Sequence, residues 1–242
     1  FEDGFVLSSN AVGFISENYG TIRDIAFNTK NLQIAQGAES PTTNLTGGDF
    51  FNFGIVAGIN RGGISNVTVY FARITVNKVN AYAGSLVGLS YYDSYIIDSE
   101  SYLYIEGACN IGGIAGGTSG TIADCLFEGA VTLNVYIKDN TAYNRAIGGI
   151  AGVAFEDCLI QDNTNKASVM CDNNTDNSTL CPYMGTIVGV IYCRQSMIQQ
   201  NTAADYLLSP NWLHSGGALW WYYDQLKNVG KILDGQVGNS DT

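Results

Sequence analysis

Hydrophobic and polar positions along this chain are organised around a five-residue phrase that recurs at intervals of 28 to 37 residues. It reads glycine, a variable residue, a branched apolar residue, a small or apolar residue, and glycine. The copies occupy residues 54–58, 84–88, 112–116, 148–152 and 185–189, and their leading glycines are 30, 28, 36 and 37 residues apart. A fixed phrase at such a period is typical of a repeat architecture, in which each repeat is one structural unit.

The middle of each phrase is always a branched apolar residue: Val56, Leu86, Ile114, Ile150 and Ile187. Glycines stand two residues away on either side, and the residue just before the middle varies. This alternation predicts a short strand with one buried face. Longer β-rich runs occur at residues 67–71 and 131–136, and few stretches have helical spacing.

A second phrase follows the first after a short polar gap. It places an acidic or amide residue two positions after an isoleucine, at Asp24, Asn66, Asp98 and Asp124. The two later copies are looser, and the register there stays open between Asp162 and Asp157. Because Asp and Asn side chains suit turns, we expect this position to stack at one corner of the fold.

The two phrases predict an all-β fold. We expect a single-stranded parallel β-helix, or β-solenoid, of about six to seven coils, with irregular loops between the later coils. Residues 1–242 would form one unit: an N-terminal contact or cap segment over 1–10, repeat coils over 11–210, and an aromatic last coil or C-terminal cap over 211–242. The degenerate last copy of the phrase is expected to start at Gly216.

The clearest copy runs Ile111-Gly-Gly-Ile-Ala-Gly-Gly-Thr-Ser-Gly-Thr-Ile-Ala-Asp-Cys-Leu-Phe-Glu-Gly129. It resembles the GLUG repeat, in which Gly-Gly-Leu-Val-Gly is followed by a short polar stretch, Gly-Thr-Ile and a small polar pair. The resemblance covers about residues 11–200 and weakens in the fifth and sixth repeats. It implies a secreted or cell-surface scaffold, as in adhesins and the non-catalytic parts of secreted proteases, and implies no chemistry.

The amino-acid composition limits the classes of partner that the chain is expected to bind. The net charge is −11 and the sequence pI is about 4.3, which disfavours nucleic acid and anionic membrane surfaces as partners. No run of 18 apolar residues is present, so we expect no membrane insertion. The chain begins at Phe1 without an initiator methionine, which predicts a processed product or a segment of a longer protein.

Four Asn-X-Ser/Thr triplets predict N-linked glycosylation, beginning at Asn44, Asn66, Asn173 and Asn177. Asn173 and Asn177 lie in a polar loop that has room for a glycan, whereas Asn66 belongs to the corner position. The set favours a secretory, extracellular or cell-surface location.

Six cysteines predict disulfides in that setting. Cys171 and Cys181 bracket an Asn-rich loop and are expected to close it. Cys125, Cys158 and Cys193 fall at similar points in successive repeats, where neighbours would bond across coils, and Cys109 would take the remaining partner. No CxxC motif or Cys/His cluster exists and His214 is the single histidine, so we expect no metal site and no cofactor.

Parallel β-helices include polysaccharide lyases and hydrolases, which use clustered carboxylates. The candidate carboxylates recur at one repeat position, as turn residues do: Asp24, Asp98, Asp124, Asp157 and Asp162. A structural corner is therefore favoured over a catalytic set. We therefore expect that the protein is not an enzyme. A carbohydrate-active lyase or hydrolase is the second alternative to the function given below.

The two ends of the chain are apolar and unlike each other. Phe1 and Phe5 lie at one end, and Trp212, Trp220, Trp221 and Tyr222 at the other. Unlike ends that meet head to tail build an open fibre. We therefore expect a subunit of a secreted filament or surface coat, with copies of itself as partners. The first alternative is an adhesin or glycan-binding module that uses these aromatic residues or Tyr91.

Overall fold

The computed structural model describes residues 11–28, 32–34, 51–76, 81–107, 109–134, 145–155, 157–172, 183–192, 197–203, 207–208 and 229–232. These residues form strands joined by short bends and contain no helix, so the predicted all-β class is confirmed. None of them forms a helix long and apolar enough to cross a membrane. The strands fall into three sheets.

Sheets 1 and 2 are built from short strands on either side of the glycine phrase. In sheet order, sheet 1 contains β1 (Ala11–Val12), β5 (Phe51–Phe53), β8 (Ala81–Gly84), β12 (Asn110–Gly112), β16 (Ala146–Gly148) and β21 (Tyr183–Gly185). Sheet 2 contains β2 (Ile15–Asn18), β6 (Ala57–Asn60), β9 (Val87–Ser90), β13 (Ala115–Thr118), β17 (Ala151–Ala154), β22 (Val188–Ile191) and β26 (Val229–Ile232).

Sheet 3 has the most strands. It is formed by the second phrase and by the β-rich runs that follow it. In chain order its strands are β3 (Thr21–Asn28), β4 (Leu32–Ile34), β7 (Gly63–Val76), β10 (Tyr95–Ile97), β11 (Glu100–Gly107), β14 (Thr121–Ala123), β15 (Leu126–Asn134), β18 (Leu159–Gln161), β19 (Thr164–Asn165), β20 (Ser168–Asp172), β23 (Met197–Gln199), β24 (Thr202–Ala203) and β25 (Leu207–Leu208).

The chain runs through sheets 1, 2 and 3 in that order and then returns to sheet 1; one such run is called a pass below. Every strand pair in the described part of the chain is parallel and joins one pass to the next. For example, β12 pairs with β8 on one side and with β16 on the other. Parallel sheets that curl around a shared core are compatible with a β-solenoid.

The last sheet-2 strand lies further along the chain than the sequence predicts. Val229 pairs with Val188, and Lys231 with Val190, so Gly230 takes the place of the phrase's second glycine. The expected start at Gly216 is therefore wrong. Residues 211–228, which contain the predicted aromatic cap, lie outside the described part of the chain.

Equivalent side chains from successive passes stack in columns through the core. One sheet-3 column consists entirely of isoleucine: Ile22, Ile64, Ile96, Ile122, Ile160 and Ile198. The four inner members are fully buried, and the two outer ones are half-buried. The middle residues of the glycine phrase are also fully buried and pack into the same core. Removing this apolar surface from water is the main source of stability.

The glycine phrase forms the corner between sheets 1 and 2, where backbones approach each other closely. A methyl group on Gly116 would lie 2.6 Å from the carbonyl carbon of Tyr82 in sheet 1. One on Gly88 would lie 2.7 Å from the carbonyl carbon of Asn52. Since both obstacles are backbone atoms, no side chain fits, and this steric limit explains why the phrase repeats.

The second phrase forms a bend within sheet 3, and its predicted stacking is confirmed. The residue in the bend has a left-handed backbone, with φ between 49° and 56°, in each of the six passes whose bend is described: Asp24, Asn66, Asp98, Asp124, Asp162 and Gln200. Asp and Asn tolerate this conformation better than other residues with a side chain. The pairing of Ile160 with Ile122 decides the open register in favour of Asp162.

Buried polar side chains complete the hydrogen bonding at this bend. The residue after the bend supplies an acceptor to the backbone of the preceding pass. Ser99 Oγ accepts from the Val67 N–H at 3.2 Å, and Asn163 Oδ1 accepts from the Cys125 N–H at 3.0 Å. The bend interrupts the ladder of backbone hydrogen bonds, and these side chains satisfy N–H groups that would otherwise be buried without a partner.

Candidate functional site

The acidic candidates line the bend in sheet 3 rather than a cleft. Asp24, Asp98, Asp124 and Asp162 are exposed, one per pass, and Asn66 Nδ2 donates to Asp24 Oδ1 at 2.8 Å. Asp157 does not belong to this column of bend residues. The strand register places it at the corner between sheets 2 and 3, where Asp93 lies two passes earlier. Within the described residues, no three His, Cys, Asp or Glu side chains are placed to hold a metal ion.

Among the described cysteines, Cys158 occupies a position different from the one expected. Cys109 and Cys125 are buried free thiols in the described structure. Cys125 Sγ donates to the carbonyl oxygens of Ala123 (3.2 Å) and Ile96 (3.6 Å). Cys158 is buried in register with Gly120, whereas Cys125 is in register with Asn163, so the expected stacking of Cys125 on Cys158 is wrong.

Burial also suppresses the ionisation of these thiols. It raises the pKa of both Cys109 and Cys125 to about 12. At neutral pH neither forms the thiolate that attacks a disulfide or binds a metal. Cys181 and Cys193 lie outside the described residues, as does the side chain of Cys171, so the predicted loop disulfide concerns a part of the chain that the structure leaves undescribed.

Of the four predicted glycosylation residues, the described structure contains only Asn66, which is exposed at the bend. Asn44, Asn173 and Asn177 fall in undescribed segments. The predicted end contacts at Phe1, Phe5, Trp212, Trp220, Trp221 and Tyr222 do so as well. Tyr91, the other aromatic residue proposed to contact glycans, is described and belongs to a larger surface feature.

That feature is a column of surface residues at the corner between sheets 2 and 3, here called the aromatic stripe. From pass to pass it contains Tyr19, Arg61, Tyr91, Ser119, Phe155 and Tyr192. From the second member onward, each backbone N–H donates to a carbonyl oxygen of the preceding pass at 2.7–2.9 Å. These regular bonds place the six side chains in one row along the outside of the fold.

The first half of the stripe is a cation–aromatic stack. The guanidinium carbon of Arg61 lies 3.7 Å from the centre of the Tyr91 ring and 5.9 Å from that of Tyr19. Glu17 anchors this end, since its Oε2 accepts a 2.6 Å hydrogen bond from the Tyr19 hydroxyl and lies 3.7 Å from Arg61 Nε. Arg61 therefore covers one face of Tyr91.

The second half of the stripe is an aromatic stack. The rings of Phe155 and Tyr192 are nearly parallel, with centroids 6.0 Å apart and an interplanar angle of 13°. Tyr82 of sheet 1 meets Phe155 edge to face at 5.7 Å. Burial raises the pKa of Tyr82 to about 12, so its hydroxyl stays protonated at neutral pH and remains a hydrogen-bond donor.

The two halves are separated by Ser119, the one member of the described stripe with a small uncharged side chain. Next to it in sheet 2 is Gly117, where a methyl group would lie 3.0–3.1 Å from atoms of Phe155, Tyr82 and Leu89. The side chains of Phe155, Tyr82 and Leu89 therefore lie over Gly117 and occupy the space that its missing side chain leaves.

The sequence carries a signal for the stripe that catalytic motifs alone do not reveal. Each member from the second pass to the sixth is the third residue after the second glycine of the phrase: Arg61, Tyr91, Ser119, Phe155 and Tyr192. Aligning the copies of the phrase on that glycine is enough to bring these residues into one column.

Comparison with known proteins gives no relative from which a role can be transferred. No protein-family model matches the chain, and neither the curated proteins nor the solved structures contain a match.

Proposed function

We propose that this chain is a structural, non-catalytic β-solenoid of about six to seven coils that assembles head to tail with copies of itself. In this proposal it is secreted and forms an extracellular filament or a surface coat. N-linked glycans on Asn44, Asn173 and Asn177 would keep the sides hydrated and limit lateral association.

The observation that carries the proposal is the pairing at the two ends of the sheets. In the described part of the chain, β3 pairs with β7 alone, so its other edge has no strand partner among these residues. At the opposite end, again among the residues that the structure describes, β23 pairs with β18 alone and β24 with β19 alone, while β26 adds one more strand to sheet 2. Open strand edges of this kind are templates for another chain.

The two edges are complementary because every pairing inside the described fold is parallel. A second copy placed in the same orientation would bring the outer edge of its first pass against the outer edge of the last pass. The contact would repeat the pairing that already joins neighbouring passes. A heterologous contact of this type does not close, so it propagates into a fibre.

The first pass also exposes apolar surface. The Phe14 side chain is 66% exposed, and its ring meets the half-buried Phe27 edge to face at 5.4 Å. In the next pass, the residue equivalent to Phe14 is Ile55, which is buried. A copy docked on the first pass would cover Phe14 in the same way.

The experiment is negative-stain electron microscopy combined with light scattering over a range of concentrations. We expect filaments whose long axis follows the stacking direction. Phe14→Asp should shorten or abolish them, because it places a charge in the contact. Tyr92→Asp is the matched control, since Tyr92 is 61% exposed on the side of the fold. Monomers at every concentration, or filaments unaffected by Phe14→Asp, would refute the proposal.

A further inference from the structure

Sheet 2 extends one pass further than sheet 3 in the described part of the chain. β26 pairs with β22 and belongs to a seventh pass, whereas the last described strands of sheet 3, β23 to β25, belong to the sixth. In every earlier pass, the described strand that follows the sheet-2 strand is the first strand of sheet 3. The chain that follows β26 is therefore expected beside the outer edge of β23.

The edge of β23 carries one apolar group and one polar group that a seventh pass would satisfy. Ile198 ends the isoleucine column and is half-buried, while Ile160 in the pass before it is fully buried. Asn201 Oδ1 accepts from the Asn163 N–H at 3.0 Å, and Asn201 Nδ2 donates to the Ile160 carbonyl oxygen at 2.8 Å. This side chain serves the preceding pass, so an acceptor for the N–H of Asn201 itself has to come from the next one.

The sequence after β26 contains the second phrase again. Gln236-Val-Gly-Asn-Ser240 has a branched apolar residue, then Asn two positions later, then serine, as Tyr95-Ile-Ile-Asp-Ser99 has Ile, Asp and Ser. The spacing agrees as well. In passes two to six the isoleucine follows the second glycine of the first phrase by six to nine residues, and Val237 follows Gly230 by seven.

We propose that residues 236–240 dock on the outer edge of β23 as a parallel strand of the seventh pass. Val237 covers Ile198 and extends the isoleucine column. Asn239 takes the bend position, and Ser240 Oγ accepts from the Asn201 N–H. The serine contact repeats the one that Ser99 makes with the Val67 N–H at 3.2 Å. The occupant of this edge is thus a segment of the same chain, from outside the described residues.

A second copy of the chain fits the same edge less well. Its first pass carries Ile25 after the bend, and isoleucine has no side-chain acceptor for the Asn201 N–H. Moreover, β2 and β3 belong to one pass, so a copy that placed β3 on β23 would bring β2 into the place that β26 holds on β22. The inference does not depend on filament formation. In a filament, a second copy would meet the outer edge of the docked segment.

The experiment is amide hydrogen exchange of the full chain, resolved by residue and repeated at a low and a high protein concentration. Two pairs of variants separate the apolar contact from the polar one. Val237→Asp removes the apolar contact, and its matched control is Val237→Ile, which supplies the residue of the column. Ser240→Ala removes the acceptor, and its matched control is Ser240→Asn, since Asn163 and Asn201 supply an amide acceptor at the same position.

We expect slow exchange at the Asn201 N–H and within residues 236–240 in the parent chain and in Val237→Ile. Val237→Asp should speed exchange at both places by at least about tenfold, because a carboxylate is not accommodated in the column. Ser240→Ala should speed exchange at the Asn201 N–H by about tenfold, and Ser240→Asn should keep it slow.

Two results would overturn the proposal. One is fast exchange throughout residues 236–240 in the parent chain. The other is slow exchange at the Asn201 N–H that survives Val237→Asp; if it also becomes slower with rising protein concentration, a second copy holds the edge. Failure to form filaments counts against the proposed function and changes neither expectation.

Discussion

Gly113 lies directly against the ring of Phe127 in the core, and neither residue can be enlarged. A methyl group on Gly113 would be 2.6 Å from Cγ of Phe127 and would also meet the backbone carbonyl oxygen of Gly149. One pass earlier, the corresponding residues are Ser85 and Ser101. A larger side chain at one of these two positions is therefore accompanied by a smaller residue at the position facing it.

Gly113→Ala should destabilise the fold by about 3 kcal/mol, because the added methyl group meets a fixed backbone atom as well as a buried ring. The matched control is Gly20→Ala, where a methyl group would meet nothing within 4 Å. Its effect should stay within about 0.5 kcal/mol. Urea unfolding followed by circular dichroism measures both, and similar losses for the two variants would contradict the close contact at Gly113.

Ser99 and Ser101 form a second matched pair, since both are fully buried. Ser99 Oγ accepts from the Val67 N–H at 3.2 Å and donates to the Ile97 carbonyl oxygen at 2.8 Å. Ser101 Oγ has no hydrogen-bond partner among the described residues. Ser99→Ala should therefore cost about 1–3 kcal/mol, while Ser101→Ala should be neutral or slightly stabilising.

The same urea unfolding experiment distinguishes the two serines. If Ser99→Ala and Ser101→Ala lower stability equally, the loss reflects side-chain packing alone. The assignment of Ser99 as the partner of the Val67 N–H would then be wrong.

Substitutions of Asp124 test the conformational role of the left-handed bend. Its φ is 54°, and its neighbours in the column are Asp98 and Asp162. Asp124→Ala should cost about 1 kcal/mol, because alanine tolerates this conformation poorly, whereas Asp124→Gly should come close to the parent. Asp124→Asn should raise the melting temperature, since it removes a negative charge between two others, and the gain should shrink in salt.

Thermal unfolding at low and high ionic strength measures these effects. Equal stability of the Ala and Gly variants would contradict a conformational role for Asp124.

The buried thiols predict a specific dependence on pH. Burial raises the pKa of Cys109 and Cys125 from 9.0 to about 12. Below pH 9 the thiols are protonated in both the folded and unfolded chain and leave the stability unchanged. Between pH 9 and about 12 the unfolded chain releases these protons and the folded chain keeps them, so stability falls as pH rises.

The matching measurement is thiol labelling at about pH 8 with a chromogenic disulfide reagent. Cys109 and Cys125 should react only after the chain is unfolded, and peptide mapping identifies the labelled residues. The Cys125→Ala variant should lose stability less steeply than the parent once the pH passes the ordinary thiol pKa. Rapid labelling of Cys125 in the folded chain would contradict its burial.

Elements whose cause is local could be predicted from the sequence. Glycine is required where two backbones meet, isoleucine where a column must be filled, and Asp or Asn where the chain turns left-handed. Each rule acts within a few residues, so the copies of the two phrases predict the strands, the corner and the bend. The members of the aromatic stripe from the second pass to the sixth could also be predicted, since each is the third residue after the second glycine of the phrase.

Features that depend on pairing between passes needed the folded chain. Two segments of the fifth pass match the phrase around Asp124 and Cys125 equally well in sequence. One is the segment around Asp157 and Cys158, and the other is the segment around Asp162. The pairing of Ile160 with Ile122 decides for Asp162 and separates the two cysteines. Likewise, Val229 takes its place through its pairing with Val188. Loops of variable length leave such registers undetermined, because the energy that fixes them comes from a neighbouring pass far away in sequence.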